Sequence, residues 1–172
     1  MKWSFEVLIF ILGLMLISSS CENEATQQHR TYTQEELLEI NRKMMSNESN
    51  RIDTFISRNE WEMEETSTGL RYEVYHRGVG PKPTTTMIAT ITYTAYLLDS
   101  TQVAKINSLQ PKQFRIGHDD VISGLHEGIM LLSVGDSARF VIPSHLAYGL
   151  TGDNNIPPNA ALFYDITLVA IQ

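Results

Sequence analysis

The residues best suited to chemistry lie in one long loop between two apolar segments near the end of the chain. Tyr148 supplies a phenolic hydroxyl that can donate a hydrogen bond, and eight residues later Ile156-Pro157-Pro158 forms a rigid apolar segment. A loop too long for a simple hairpin is usually functional in a compact domain. The pattern predicts an apolar flap beside a phenolic donor. The alternative is a disordered surface loop.

Motifs before and within this loop favour an ordered apolar flap over a disordered surface loop. They are VISGLHEG at 121–128, LSVG at 132–135, AYG at 147–149 and IPPNAALFYD at 156–165. In order and spacing, these motifs resemble those of the FKBP family of peptidyl-prolyl isomerases. The resemblance covers roughly residues 87–172, which is about half of the chain. Several motifs in register make the signal specific, whereas any one of them alone is weak.

The resemblance implies a pocket of aromatic and aliphatic side chains. Matched residue by residue, it gives catalytic roles to Tyr148 and Ile122, whose hydroxyl and backbone amide would hold substrate carbonyls. The implied substrate-binding residues are Tyr93, Phe114, Val121, Leu125, Ile156 and Tyr164. Each of these side chains also suits an ordinary core. Tyr148, Ile156 and Tyr164 are the most indicative, because a core could use phenylalanine and would not need the prolines.

The implied reaction is rotation about Xaa-Pro bonds, which requires no nucleophile, metal or cofactor. Its barrier of about 18–20 kcal/mol comes from amide resonance. The twisted amide is less dipolar than the planar one, so a water-poor cavity disfavours the ground state relative to the transition state. The five histidines show no ligand spacing and no nucleophile motif is present, so we expect no metal site and no cofactor.

Three positions depart from the family pattern. A Phe-Asp pair that follows the long strand in the family falls near Val103-Ala104, a second pocket aromatic falls on Lys112, and the floor tryptophan is Leu125. The first departure removes an aromatic wall and a carboxylate together. We therefore expect an active but slow isomerase.

The elements that must position these residues form an α+β fold. Alternating apolar residues and turn signals predict strands at 69–75, 87–98, 114–117, 138–142 and 161–171, and a helix at 123–132. The resemblance and this pattern together imply an FKBP-like twisted antiparallel sheet wrapped around one short helix. An N-terminal helical arm precedes it.

The start of the chain reads as a targeting segment. Residues 1–20 combine Lys2 with the apolar run Val7–Ile17, and small residues precede Cys21, the only cysteine. This resembles a lipoprotein signal peptide in which Cys21 is lipidated, although Ser18 and Glu6 depart from the usual pattern. The alternative is an ordinary cleaved signal peptide with a free cysteine. Residues 21–33 are polar and predict a tether.

Residues 34–60 predict the helical arm, and residues 61–172 the isomerase domain. Thr33 and Glu36 match a capping box. Apolar residues follow at helical spacing: Leu37, Ile40, Met44, Met45, Ile52, Phe55 and Ile56. Polar residues at 46–50 leave open whether this is one helix or two. The apolar stripe either packs on its own domain or meets a second copy in a homodimer, and we expect the domain to fold without the arm.

Composition narrows the partners. The net charge is −7 and no basic run occurs, which argues against nucleic acid. We therefore predict a lipid-anchored protein of the bacterial cell envelope, on the periplasmic side or the cell surface, that isomerises proline-containing clients. The architecture resembles gliding-motility-associated FKBP-like lipoproteins. The alternative function is a non-catalytic chaperone or binding module that uses the same groove.

Overall fold

The computed structural model describes residues 31–172. Among them are two α-helices, seven β-strands and a short 3-10 helix. In chain order these are α1 (Gln34–Arg58), β1 (Glu64–Glu65), β2 (Arg71–His76), β3 (Ile88–Leu97), β4 (Gln102–Ile106), β5 (Lys112–Arg115), α2 (Ser123–Leu131), β6 (Ser137–Ile142), the 3-10 helix (Ser144–Leu146) and β7 (Leu162–Ile171).

The seven strands form one antiparallel sheet in the order β1-β2-β6-β7-β3-β4, and β5 also pairs with β3. Strand β7 lies between β6 and β3 and alternates between buried and more exposed residues over most of its length. Such alternation is typical of a strand with one face on a core. The predicted α+β fold, a sheet wrapped around a short helix, is confirmed.

Helix α2 covers the buried face of the sheet. Leu125 and Ile129 are buried in the main core with Phe140 of β6. A Cβ added to Gly128 would lie 2.5 Å from the Phe140 ring, so only glycine allows the helix to lie this close to the sheet. Gly128, the last residue of the VISGLHEG motif, therefore has a packing role.

Strand β4 is absent from the sequence-based expectations. Its sequence QVAKI carries two polar residues in five, and its register with β3 shifts between Ala95 and Tyr96. An edge strand with an irregular register has only a weak alternating pattern. The five predicted strands and α2 are present, with ends that differ by at most two residues.

Helix α1 begins with the predicted capping box. The Thr33 amide donates to Glu36 Oε2 at 2.9 Å, and the Glu36 amide donates to Thr33 Oγ1 at 3.2 Å. The helix is continuous through the polar stretch at 46–50, which decides between one helix and two.

The second half of α1 packs on the sheet. Ile52 and Phe55 are 1% and 6% exposed, in a second core that includes Val141 and Ala161. The Phe55 ring lies 5.7 Å from that of Phe163, measured between centroids. This half of the predicted apolar stripe is therefore covered by the protein's own domain. Removing the arm would expose the part of the second core that Ile52 and Phe55 cover. Folding of the domain without the arm stays a prediction.

Residues 38–172 form one compact unit. This unit contains most of the predicted arm together with residues 61–172. The predicted signal peptide, most of the tether, and Cys21 lie outside the described residues. Neither of the described α-helices is both long enough and apolar enough to cross a membrane.

Candidate active site

A cavity of about 440 Å³ opens between the start of α2, strand β3 and the long loop before β7. Its lining combines tyrosines, aliphatic side chains and a few charged groups. The lining residues are Tyr93, Lys112, Asp120, Val121, Ile122, Ser123, Leu125, Ala147, Tyr148, Asp153 and Tyr164.

Two tyrosines on neighbouring strands form the aromatic wall. Tyr164 pairs with Ala95 across β7 and β3, so Tyr93, two residues away on β3, lies on the same face of the sheet. The ring centroids of Tyr93 and Tyr164 are 5.1 Å apart, with the planes tilted by 45°. Burial, and then the neighbouring Tyr93 and Tyr148, raise the pKa of Tyr164 far above its usual value.

Ile122 supplies a free backbone donor. It is the residue before α2, with extended φ and ψ of −57° and 141°. No carbonyl or side chain among residues 31–172 accepts its N–H, whereas its carbonyl accepts the N–H of Leu125 at 3.0 Å. First-turn amides of a helix have no partner within the helix, so such a donor is available to a ligand. Leu125 is 3% exposed and contributes to the floor of the cavity.

Tyr148 supplies a second free donor from the opposite loop. Within the described chain its hydroxyl makes no hydrogen bond. Burial raises the pKa of Tyr148, and the negative charges of Asp153 and Asp120 raise it further. The phenol therefore remains a protonated donor at neutral pH. An amide donor and a phenol donor thus line one cavity, beside tyrosine rings and Leu125, an arrangement that can hold carbonyl groups of a peptide.

The backbone around Tyr148 is held by a compact turn. The carbonyl of Ser144 accepts the N–H of Ala147 at 2.9 Å and of Gly149 at 2.8 Å, the two residues that flank Tyr148. Gly149 has a φ of +60°, a conformation that glycine adopts without strain. Asn159 closes the loop by donating its N–H to the Gly149 carbonyl at 2.8 Å.

The structure brings six of the eight predicted pocket residues to this cavity: Tyr93, Val121, Ile122, Leu125, Tyr148 and Tyr164. It places Phe114 in the core, at 2% exposure and edge-on to His126. Ile156 is partly buried against the core and forms an isolated bridge with Asp153. Neither of these two residues is among those that line the cavity.

Four lining residues were not singled out from the sequence: Asp120, Ser123, Ala147 and Asp153. Asp120 and Ser123 flank the Val121-Ile122 pair and Ala147 precedes Tyr148, so adjacency was an available signal. Asp153 reaches the cavity only through the loop conformation, which no local pattern encodes.

The Val103-Ala104 pair lies on β4 and packs partly buried against the main core. Ala104 is paired with Ala95, on the face of the sheet that also carries Tyr93. Neither residue lines the cavity, whereas Lys112 does.

The sequence and the fold are both similar to those of known isomerases. The sequence model of the FKBP-type peptidyl-prolyl cis-trans isomerase family matches residues 80–169. The FKBP-type isomerase FkpA of Aeromonas hydrophila is 40% identical over 108 residues, which cover 62% of this chain and 40% of that protein. FkpA of Escherichia coli K12 is 34% identical over 108 residues, covering 62% of this chain and 39% of that protein. The matches therefore span well under half of these relatives.

Solved structures agree with this fold. The crystal structure of a peptidyl-prolyl cis-trans isomerase from Pseudomonas syringae pv. tomato superposes with a TM-score of 0.62 at 29% identity. The superposition covers 74% of this chain and 95% of that one. The crystal structure of Escherichia coli FkpA gives a TM-score of 0.61 over 98% of this chain and 82% of that one. At 23% identity, this second likeness shows the fold alone.

The sheet, helix α2 and the tyrosine-walled cavity define a protein of the α+β class with a site that has room for a peptide segment. The motifs and the family match then identify it more closely. The chain belongs to the FKBP-type peptidyl-prolyl cis-trans isomerase family.

Proposed function

We propose that this chain catalyses cis–trans isomerisation of Xaa-Pro bonds in polypeptides. The observation that carries the proposal is the pair of unsatisfied donors, the Ile122 amide and the Tyr148 hydroxyl, on one cavity walled by Tyr93 and Tyr164. Identity of 34–40% to FKBP-type isomerases over the same region supports it.

The geometry suggests how catalysis proceeds. The two donors fix carbonyls of the substrate while the prolyl ring lies on Leu125 between the two tyrosine rings. The two tyrosine rings and Leu125, packed around the prolyl ring, keep water from the planar, more dipolar amide and so raise its free energy relative to the twisted amide. Lowering the barrier by ~4 kcal/mol gives about a thousandfold acceleration. No covalent step is involved.

A protease-coupled assay on a short Xaa-Pro peptide tests this proposal. We expect isomerisation clearly faster than the uncatalysed rate, and faster refolding of a protein whose folding is limited by proline. A rate equal to the uncatalysed one, combined with suppression of client aggregation, would support the non-catalytic chaperone instead.

We also propose that the protein is anchored to a membrane of the bacterial cell envelope by lipid on Cys21, with the domain on the periplasmic side or the cell surface. The support is the apolar run and the small residues before the only cysteine. Metabolic labelling with a fatty-acid analogue should mark the wild type and not Cys21→Ser. Equal labelling of both would contradict the anchor.

A further proposal concerns self-association through α1. Leu38 and Met45 remain 64% and 60% exposed on its first half, with Ile40 and Met44 also exposed. An apolar stripe of this kind is stabilised by a partner surface. We expect a homodimer of residues 31–172 in light scattering and a monomer when Leu38 and Met45 are both changed to Glu. A monomeric wild type would contradict it.

We also propose that the protein supports gliding motility, because its predicted anchor and helical arm resemble the architecture of gliding-motility-associated FKBP-like lipoproteins. A deletion strain complemented with the wild type or with Tyr148→Phe tests this. We expect colony spreading to be lost on deletion and restored fully only by the wild type. Normal spreading of the deletion strain would exclude the role.

A further inference from the structure

We infer that Glu48, on helix α1, is a positioning residue for the isomerase site. It lies 100 residues before Tyr148 and outside the region that matches the family model. The inference rests on the proposed isomerase function and adds a part of the chain that this function alone does not require.

The contact itself is specific. The Glu48 carboxylate accepts the backbone N–H of Ser144 at 2.7 Å and the Ser144 hydroxyl at 3.0 Å, using one oxygen for each. Ser144 is only 6% exposed and Glu48 is half-buried. Hydrogen bonds to an ionised carboxylate are shorter and stronger than bonds between neutral groups. Because both the N–H and the hydroxyl of Ser144 are bound, the contact fixes the orientation of Ser144 as well as its distance from helix α1.

Ser144 in turn fixes the residues around Tyr148. Its carbonyl accepts the N–H groups of Ala147 and Gly149, one on each side of Tyr148. Glu48 thus holds the backbone N–H of Ser144, and the Ser144 carbonyl holds the turn that carries Tyr148. A shift of Ser144 is therefore transmitted to the Tyr148 hydroxyl through hydrogen bonds already in place.

The helix is itself anchored one turn further along, so Glu48 is a fixed point. Arg71 of β2 is 7% exposed and binds Ser49 Oγ at 3.0 Å and Asp53 Oδ1 at 3.2 Å. Ile52, on the same helical face, is buried in the second core. Asp53 provides a matched control, because it ties the same helix to β2 without contacting the 144–149 turn.

The first experiment measures kcat/KM on an Xaa-Pro peptide for Glu48→Ala, Glu48→Gln and Asp53→Asn in residues 31–172. We expect about a five- to tenfold loss in Glu48→Ala, the size of one or two lost hydrogen bonds. Glu48→Gln retains an acceptor oxygen and should lose less. Asp53→Asn should retain the wild-type rate, although its melting temperature falls as in the Glu48 variants. Wild-type activity in Glu48→Ala would overturn the inference.

A double-mutant cycle distinguishes positioning from a general loss of structure. If Glu48 acts through Tyr148, Glu48→Ala should change the rate by less than about twofold once Tyr148→Phe has removed the hydroxyl. Losses that multiply in the double variant would show that Glu48 acts elsewhere, and would overturn the inference.

Amide hydrogen exchange tests the contact without any catalysis. In Glu48→Ala the amides of Ala147 and Gly149 should exchange at least about fivefold faster, while amides of β7 stay unchanged. Unchanged exchange at both positions would overturn the inference. A wild type that shows no isomerase activity would defeat the proposed function, but these exchange rates would still decide whether Glu48 holds the turn.

Discussion

At the scale of single residues, the site is distinguished by donors that find no hydrogen-bond partner within residues 31–172. Buried and half-buried polar groups in proteins are usually satisfied within the chain, so an unpaired donor on a cavity requires a reason. The described chain leaves no fully buried side-chain nitrogen or oxygen without a partner. The Tyr148 hydroxyl and the Ile122 amide remain available to a ligand because the cavity gives them access to one.

Replacing Tyr148 with Phe should reduce turnover and leave stability almost unchanged. The ring keeps its packing, and the lost hydrogen bond to substrate is worth ~0.5–1.5 kcal/mol, which lowers kcat/KM by up to about tenfold. Tyr75→Phe is the matched control, because Tyr75 is 46% exposed and its hydroxyl binds Asp165 at 2.6 Å on another part of the sheet. An unchanged rate in Tyr148→Phe would mean that its hydroxyl does not bind the substrate.

Tyr164 should make the fold sensitive to alkali. Because burial raises its pKa in the folded state, the unfolded state releases this proton first as the pH rises. The stability contributed by the neutral phenol is complete below pH ~10 and is lost above it, by about 1.4 kcal/mol at one pH unit higher. Urea unfolding at pH 8 and pH 11 should show a smaller decrease for Tyr164→Phe than for the wild type. Equal decreases would contradict the burial of an ionisable group there.

At the scale of elements, helix α1 contributes to the stability of the domain. Ile52→Ala removes a side chain that is 1% exposed and should cost about 2–5 kcal/mol in the free energy of unfolding. Ile40→Ala is the control on the same helix, where the side chain is 38% exposed and the expected change is within about 0.5 kcal/mol. Chemical denaturation of both variants measures the difference. Equal values would place the second half of the helix away from the sheet.

The local sequence pattern predicted those elements whose apolar residues or glycines form a clear motif. Strands β6 and β7 have dense apolar sequences, and α2 carries the glycine that its packing requires, so motif and structure coincide there. Strand β4 lacks such a pattern because it lies at an edge and contains a register shift. The contact between Glu48 and Ser144 spans 96 residues, and nothing in either local sequence indicates it.

The prediction of the pocket residues also rests on local sequence motifs. Five of the six pocket residues lie in short motifs, and antiparallel pairing brings the sixth, Tyr93, beside Tyr164 once β3 and β7 are adjacent. Phe114 illustrates the limit of such prediction. Its position on a short strand predicts which face of the sheet it occupies. Only the packing against His126 of α2 shows that it lies in the core and does not line the cavity.

At the scale of the whole molecule, the negative charge extends to the mouth of the site. The sequence carries a net charge of −7, and two acids, Asp120 and Asp153, line the cavity against one base, Lys112. Both acids lie close enough to Tyr148 to raise its pKa. The field at the site therefore favours substrates with positive charge near the proline.

A peptide with Lys before proline should accordingly react better than its Glu counterpart. We expect a ratio of kcat/KM of about two- to fivefold at low salt, which corresponds to less than ~1 kcal/mol for partly exposed charges. The ratio should fall towards one at 1 M salt, where the Debye length is about 3 Å. Asp153→Asn should lower the ratio at low salt and leave the fold intact, because Asp153 lies on the exposed loop. Thr54→Ala, a neutral change on α1 away from the cavity, serves as the control and should keep the wild-type ratio. A ratio that does not respond to salt or to Asp153→Asn would show that the cavity selects its substrates by shape alone.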